Sequence, residues 1–474
     1  MFDIRRDRRL FVFYDTETSG TNTVFDQVLQ FAAILTNDQL EEVDRFEIRC
    51  RCLPWIIPAP MALKVTGVTP DRLDDPGLPS FYDMMSAIRK KLENWGPAIY
   101  AGYNSMRFDE PLLQRAFWQA LHPPYLTVTN GNARRDILPL VQAASHLYEG
   151  AFNYPITPRG RTGFKLDKLA PLNGFAHENA HDALADVEAT IFIARILAEK
   201  CSELWTSNVA SARKSDMASR LLPGEPFLFV EYFISGPSVW WGQRVDQQGA
   251  LAGAASCLRL DANWNEIFIL DDEALAKRLT ASPKPLRDIA LNKAPIVLDQ
   301  TAARSMGYIP EADIFSQSEF LTSNEVACAK LLQNSEALGE PWPKAEHLEQ
   351  QIFEGFPSRE DSARMEDFHR SDWPGKAALI RSFEDERLQQ LAQRIVYASA
   401  PEVLSEADRT RMAEAIAGRL HDDHADPDLW RTVPQAIGEL SEVRSFEGGE
   451  ATAAEIEEWL KAKSEAYPPV QPGS

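Results

Sequence analysis

The sequence predicts an α/β domain over residues 1–201, a β-containing segment over 202–355 and a helical segment over 356–474. The apolar run 11–14 is continuous, which is typical of a strand buried on both faces beneath covering helices. Strand-like and helical patterns then alternate up to about residue 200, as they do in α/β domains. Later in the chain, short apolar runs separated by turns give way to helical periodicity. A length of 474 residues suits such a division into two or three domains.

Period-two and helical spacing place the elements within these segments. Each assignment follows the apolar pattern, the turn residues and the N-cap residues. The strands are predicted at 11–14, 30–36, 42–52, 98–103, 227–230, 257–260 and 267–270. The helices are predicted at 81–95, from 109 to about 122, 133–148, 164–169, from a start within 179–187 to about 200, 385–397 and 407–420.

Composition excludes several classes of protein. No apolar run approaches eighteen residues, so no membrane-spanning helix is expected. The first nine residues carry acids and bases instead of the apolar core of a secretory signal. The five cysteines are sparse and odd in number, which favours reduced thiols over a disulfide framework or a zinc site. These features predict a cytoplasmic protein without a membrane partner.

The charge of the chain is unevenly distributed. A net charge of -21 argues against a nucleic-acid partner. Residues 1–200, however, hold 22 Lys and Arg against 25 Asp and Glu, whereas the remainder holds 27 against 45. The first segment is therefore close to neutral, and bound metal would neutralise several of its acids.

The first strand ends in two acids. Asp15 and Glu17 are two residues apart, so they project from the same face of a strand. Adjacent carboxylates at the end of a buried strand repel each other unless a cation lies between them. Mg²⁺ prefers carboxylate and water oxygen, which makes it the simplest such cation. The alternative is a solvent-exposed strand end that carries two incidental acids.

Three later residues extend this pattern. Asp109 lies where a strand gives way to a helix, which suits either an N-cap or a metal ligand at the carboxyl end of a sheet. His181 and Asp186 are five residues apart and would point ~140° apart within one regular helix. They converge if His181 precedes the helix and Asp182 lies near its cap. A histidine at a helix start is otherwise usually structural or solvated.

The ordered set Asp15, Glu17, Asp109, His181 and Asp186 resembles the signature of the DEDD-type 3′→5′ exonucleases in their histidine variant. Further stretches are similar to the bacterial exonuclease I family within that group. They are residues 30–34, 66–70, 102–104, 107–109, 179–183, 291–296 and 352–356.

The resemblance implies a ribonuclease H-like mixed sheet flanked by helices, an SH3-like β-containing domain and a C-terminal helical domain. It also implies hydrolysis of single-stranded DNA to 5′-mononucleotides by two-metal-ion catalysis, with a role in DNA repair and recombination. Two Mg²⁺ ions, replaceable by Mn²⁺, are expected. In our assignment Asp15 bridges both ions, Glu17 and Asp186 complete the first site, and Asp109 holds the second largely through water. His181 accepts the proton of the attacking water.

Substrate contacts are expected from a smaller set of residues, in which each basic side chain has the alternative of a solvated surface charge. For the one tyrosine in the set, we favour a core aromatic over a base-stacking role. The expected contacts are Glu17, Thr18, Lys165, Lys214 beside Arg213, Arg134 and Tyr125. The chain departs from the family at Arg135, where Trp is usual, and at several strand-contacting basic and aromatic positions that are replaced, for example by Gln142.

The expected partners are single-stranded DNA and the acidic C-terminal tail of the single-stranded-DNA-binding protein. The family docks that tail on basic residues, but residues 397–400 read Tyr-Ala-Ser-Ala where the family is typically basic. We predict a monomer. An exoribonuclease of the same chemistry and a non-catalytic single-strand-binding scaffold remain as alternatives.

Overall fold

The computed structural model describes residues 9–176, 182–246, 253–336, 344–423, 426 and 428–469. Within these ranges the chain forms ten β-strands and twenty α-helices. The strands are β1 (Phe11–Thr18), β2 (Val28–Thr36), β3 (Glu42–Arg49), β4 (Ile99–Gly102), β5 (Ala133–Asp136), β6 (Pro226–Phe233), β7 (Gly236–Arg244), β8 (Ala254–Arg259), β9 (Leu286–Ala290) and β10 (Ile296–Asp299). The helices are α1 (Pro60–Thr66), α2 (Pro70–Leu73), α3 (Phe81–Trp95), α4 (Asp109–Gln119), α5 (Ile137–Leu147), α6 (Leu166–Leu172), α7 (Ala183–Lys200), α8 (Ser202–Ala210), α9 (Lys214–Arg220), α10 (Trp264–Ile267), α11 (Asp272–Thr280), α12 (Gln300–Ser305), α13 (Ala312–Ser323), α14 (Glu325–Glu336), α15 (Arg359–Arg370), α16 (Trp373–Leu379), α17 (Glu386–Ser399), α18 (Glu406–Leu420), α19 (Val433–Arg444) and α20 (Gly449–Ala466).

The first sheet has β1 at its centre. Its strand order is β3-β2-β1-β4-β5, with β1 antiparallel to β2 and parallel to β4. This mixed sheet with flanking helices confirms the predicted fold class. β1 is longer than the apolar run that predicted it, because the two acids continue the strand instead of ending it.

Residues 133–136 were predicted as the start of a helix, and that prediction is wrong. They form β5, which pairs in parallel with β4 and completes one edge of the sheet. The helix α5 begins only at Ile137, where Asp136 accepts a hydrogen bond from the Leu138 amide as the N-cap residue. The apolar pattern did not indicate a buried strand here, because two of the four residues of β5 are arginines.

The two faces of β1 enter different cores. Val12 and Tyr14 belong to one hydrophobic cluster, whereas Phe11 and Phe13 belong to another. This confirms that the first strand is buried on both faces. A strand held on both sides cannot shift its register without moving apolar side chains out of two cores.

The second sheet is antiparallel and has the order β10-β6-β7-β8-β9. The strand predicted at 267–270 is wrong. Trp264 and Ile267 are instead the buried residues of α10, which Asn263 caps by accepting a hydrogen bond from the Glu266 amide. Ile269, which follows this helix, is 82% exposed, so the apolar run does not mark a buried strand.

Both later segments pack directly on the first domain. The core on one face of the first sheet continues into the C-terminal helices through Leu388, Ile395 and Leu460. The core on the other face continues into β6 and β10 through Leu228 and Leu298. The boundaries at 201 and 355 stay predictions, since the shared cores do not stop at them.

No helix within the described residues has both the length and the apolar character needed to cross a lipid bilayer. All five cysteines are free of disulfide bonds and buried, in agreement with the prediction of reduced thiols.

A buried ion cluster fixes the C-terminal helices to the chain before them. The Glu349 side chain is 3% exposed, and its Oε1 accepts from Arg394 Nη1 at 2.9 Å and from Arg419 Nη1 at 2.7 Å. The guanidinium of Arg394 also lies 5.5 Å from the Trp55 ring of the first domain. Although burial alone raises the pKa of Glu349, the charges of Arg419 and Arg394 bring it from 4.5 down to about 2.

Replacing Glu349 with Gln should lower the free energy of unfolding by about 3–5 kcal/mol, because two arginines lose their buried partner. Since the folded-state pKa is depressed, the stabilisation is present above pH 4.5 and is lost as the pH falls towards 2. Urea unfolding of both proteins at several pH values measures this difference. Glu384→Gln, which removes a partner of Arg364 with a 65% exposed side chain, should cost under about 1 kcal/mol. Equal effects of the two substitutions would contradict the assignment.

Candidate active site

The carboxyl end of β1 projects two acids beyond its neighbour. β1 pairs with β4 only from Phe11 to Phe13, so Asp15 and Glu17 lie past the end of that parallel pairing. On the other side both remain paired with β2, and the register shifts only after Glu17. The strand thus holds the two carboxylates on one face at the carboxyl edge of the sheet.

Helix α7 brings a third carboxylate to the same place. Asp182 is its N-cap residue and accepts from the Ala185 amide at 3.4 Å, which agrees with the position predicted for the helix start. Asp186 therefore lies in the first turn. One carboxylate oxygen from each of Asp15, Glu17 and Asp186 lies within 4.8 Å of the other two.

Asp109 approaches from α4 and is tied to the strand between the two acids. It is 3% exposed, and its Oδ1 accepts from the Thr16 amide at 3.1 Å and from Thr16 Oγ1 at 2.6 Å. The N-cap position of α4 is occupied by Phe108, so the alternative of a capping role for Asp109 is wrong. Asp109 stands beside the group of three carboxylates and is not one of its members.

Burial and the charges of neighbouring acids raise the pKa values of Asp15, Glu17 and Asp109. Burial, followed by the charges of Asp109, Asp186 and Glu17, raises the pKa of Asp15 well above its usual range. Burial and the charges of Asp186 and Asp109 raise the pKa of Glu17 to about 8. Burial raises the pKa of Asp109 to about 7 against the opposing hydrogen bonds from Thr16. The carboxylates are therefore too close to remain charged together without a compensating cation.

Arg49, whose charge opposes the rise in the pKa of Glu17, is already engaged by other acids. Its Nη2 bonds Asp182 Oδ2 at 2.8 Å and Glu47 Oε1 at 3.3 Å. The three clustered carboxylates offer only hard oxygen donors, which is the ligand set that divalent cations such as Mg²⁺ prefer. The residues present therefore fit a divalent metal.

His181 lies outside the described residues. Its neighbour Asp182 is described, and Asp182 Oδ2 also accepts from Gln30 Nε2 at 3.2 Å. The beginning of α7 is thereby fixed to β2 and β3 through Gln30 and Arg49.

The residues expected to contact substrate are spread over several elements. Thr18 is buried, and its hydroxyl donates to the Gly20 carbonyl at 2.6 Å. Lys165 is exposed at the N-cap of α6, and Lys214 is partly exposed as the first residue of α9. Tyr125 is partly exposed and meets the exposed Phe356 edge-on, with ring centroids 6.0 Å apart, so it is not a fully buried core aromatic.

Arg134 does not present its charge to a surface groove. It is 8% exposed, and its Nη1 pairs with Glu110 Oε1 at 2.7 Å. Its Nη2 donates to the Asn292 carbonyl at 3.0 Å, which links the first sheet to the second domain. The expectation of a phosphate contact at Arg134 is therefore not supported, because the guanidinium is committed to a buried bridge.

Two positioning residues escaped the sequence analysis. Asp136 accepts hydrogen bonds from the Asn104 amide at 2.8 Å and the Met106 amide at 3.1 Å, and so holds the turn that leads to Asp109. Glu110 accepts from the Tyr14 hydroxyl at 2.7 Å besides pairing with Arg134. An aspartate before the apolar helix at 137 is an N-cap signal that was available for Asp136. No comparable sequence signal pointed to Glu110, since its partners are distant in sequence.

Comparisons with known proteins agree with this geometry. Residues 12–194 match the family model described as Exonuclease, and residues 346–462 match the Exonuclease I C-terminal domain. Exodeoxyribonuclease I of Escherichia coli (strain K12) is 26% identical over 435 residues, which cover 87% of this chain and 90% of that protein.

Two solved structures share the whole fold. Exonuclease I from Methylocaldum szegediense superposes with a TM-score of 0.80 at 22% identity, covering 96% of this chain and 99% of that one. E. coli exonuclease I in complex with a dA16 oligonucleotide gives 0.77 at 24% identity, covering 96% and 98%. Both domain matches, the near full-length relative and the ordered carboxylates show that the chain belongs to the bacterial exonuclease I family.

Proposed function

We propose that this protein hydrolyses single-stranded DNA from the 3′ end to 5′-mononucleotides, using two Mg²⁺ ions and His181 as the general base. As a member of its family it is an exodeoxyribonuclease, and a role in DNA repair follows from that activity. The observation that carries the proposal is the convergence of three carboxylates within 4.8 Å at the end of β1, with a fourth anchored beside them.

Each carboxylate has a distinct place in the proposed chemistry. Asp15 would bridge the two ions, Glu17 and Asp186 would complete one site, and Asp109 would serve the other, largely through water. The ions, when bound, supply charge neutralisation at the phosphate and at both the attacking and the leaving oxygen. Thr16 orients Asp109 through its amide and hydroxyl, which fixes that carboxylate before substrate arrives.

The proton of the attacking water goes to His181 in this proposal. The water oxygen bonds to phosphorus as the bond from phosphorus to the 3′ oxygen breaks, and the released 3′ oxygen takes up a proton from solvent. Imidazole suits this role because its ordinary pKa lies near neutrality. The adjacent Asp182, bonded by Arg49 and Gln30, would position the chain at this point.

The substrate assignment draws on the relatives. An E. coli exonuclease I structure contains a dA16 oligonucleotide, and another exonuclease I structure contains the single-stranded-DNA-binding protein. Single-stranded DNA is therefore the proposed substrate here. Docking of that protein's acidic tail stays a prediction. Tyr397, Ala398 and Ser399 bring no charge of their own to the cavity at the end of α17, which is also lined by Arg51, Arg394 and Lys463.

The direct test is digestion of a 3′-labelled single strand with Mg²⁺, with and without chelator. We expect release of the labelled 5′-mononucleotide before any internal product, and none with chelator. A 5′-labelled strand is the control, since its label should leave last. Faster decay of a matched RNA would favour an exoribonuclease. No Mg²⁺-dependent release from either polymer would favour a non-catalytic scaffold.

Asp15→Asn should have opposite effects with and without metal. In chelator it should raise the free energy of unfolding by roughly 1–2 kcal/mol, because one repelling charge is gone. The stabilisation that Mg²⁺ gives the wild type should disappear, since a central ligand is lost. Thermal unfolding in EDTA and in Mg²⁺ measures both effects. Asp38→Asn, on an exposed turn, is the control and should change neither. A variant destabilised in chelator would contradict the repulsion argument.

His181→Ala should lower the rate of hydrolysis on the order of 10²–10⁴-fold and leave the Kd for single-stranded DNA nearly unchanged. The reason is that a general base acts on the reacting water and not on the ground-state strand. Single-turnover digestion and binding in chelator separate these two quantities. His146→Ala, at an exposed position on α5, should match the wild type in both. Parallel losses of rate and binding in His181→Ala would count against a general-base role.

A further inference from the structure

A groove of about 1030 Å³ begins at the turn that precedes Asp109 and ends at the second domain. Arg107, two residues before Asp109, lines one end, and the β6–β7 hairpin lines the other. Its wall includes the loop between α5 and α6, which none of the functional assignments above uses. The lining residues are Arg107, Gln142, Thr157, Pro158, Arg159, Gly160, Arg161, Thr162, Phe164, Tyr232, Phe233, Ile234, Ser235 and Gly236.

That loop contains a short hydrogen-bonded β-hairpin. The Thr157 amide donates to the Arg161 carbonyl at 2.8 Å, and Ile156 and Thr162 form a β-bridge. Gly160 has a φ of +70°, the left-handed conformation that lets the chain turn back. Arg159 is exposed in this turn, so the hairpin presents its guanidinium to the groove.

The hairpin is fixed to the second domain. Arg161 Nη1 donates to the Ile234 carbonyl at the tip of the β6–β7 hairpin, at 2.9 Å. Below it, Phe164 meets Tyr232 edge-on with ring centroids 4.9 Å apart. The groove therefore has walls from two domains that hold a defined relative position.

The groove is positively charged, whereas the chain as a whole is negatively charged. The described residues that line it include three arginines and no Asp or Glu, in a protein with a net charge of -21. Phe233 and Ile234 are 47% and 86% exposed beside these cations. Cations along a path with exposed rings are the combination that binds a single strand through phosphate contacts and base stacking.

We propose that Arg159 and Arg161 bind backbone phosphates of the single strand on the 5′ side of the scissile bond. This inference rests on the proposed function, because it takes the strand's 3′ end to lie at Asp109. A strand is favoured over an acidic peptide because the groove starts at the catalytic turn and adds apolar and aromatic surface to its charge. Gln142 lines the same groove without a charge, so the cations of the groove are Arg107, Arg159 and Arg161.

The test is the double variant Arg159→Gln/Arg161→Gln, with binding of a 20-nucleotide strand measured in chelator at several salt concentrations. We expect the Kd to rise on the order of tenfold, and the slope of log K against log salt to fall by roughly 1.4, at ~0.7 per lost phosphate contact. Hydrolysis of the p-nitrophenyl ester of thymidine 5′-monophosphate with Mg²⁺ should keep its kcat, since that small substrate does not reach the hairpin.

Two further variants sharpen the result. Arg278→Gln removes another arginine that donates to a backbone carbonyl, that of Pro283 at 3.0 Å, away from the groove, and should bind DNA as the wild type does. Adding Gln142→Arg to the double variant returns a cation to the same groove and should recover part of the affinity and of the salt slope.

Unchanged Kd and salt slope in the double variant would overturn the inference. So would loss of affinity for a poly-glutamate peptide without loss of affinity for DNA, which would assign the groove to an acidic protein segment. Failure of the proposed function is a separate outcome. It would appear as no nucleotide release by the wild type with Mg²⁺, whereas the binding measurements in chelator would still report on the groove.

Discussion

Repulsion among closely spaced carboxylates at the end of β1 is the main force that the packing of this protein has to oppose. Asp15, Glu17 and Asp186 stand within 4.8 Å of one another, and burial and mutual charge raise the pKa values of the first two. Such an arrangement opposes folding, so the surrounding packing must offset it until cations bind. Pre-organising the ligands in this way means that little rearrangement is needed when metal and substrate arrive.

The packing that resists this repulsion comes from the whole chain. β1 is clamped between two cores, one continuous with the C-terminal helices and the other with β6 and β10. The ion cluster of Glu349, Arg394 and Arg419 ties those helices down, and Arg394 reaches back to Trp55 in the first domain. The later segments therefore hold β1 in position. They also support any path that single-stranded DNA takes across the surface.

The sequence was informative where one local pattern decides the outcome. Period-two spacing placed Asp15 and Glu17 on one face, and an N-cap at Asp182 put Asp186 in the first turn of α7. It failed where partners are distant along the chain. Arg134 reads as a surface cation until Glu110 and the Asn292 carbonyl are seen to bury it. For the same reason β5 was missed, since a strand containing two arginines is recognisable only from what its guanidinium groups meet.

Net charge is a poor guide to the partner of this protein because electrostatic interactions are local at cellular ionic strength. At about 0.15 M salt the Debye length is about 8 Å, so exposed acids beyond that distance are largely screened from a bound phosphate. The groove beside Asp109 presents three arginines without an acid among its described lining residues, so a strand there meets a positive environment despite the total of -21. The acids elsewhere act differently: they oppose adsorption of DNA to the remaining surface and so favour the one path that leads to the carboxylates.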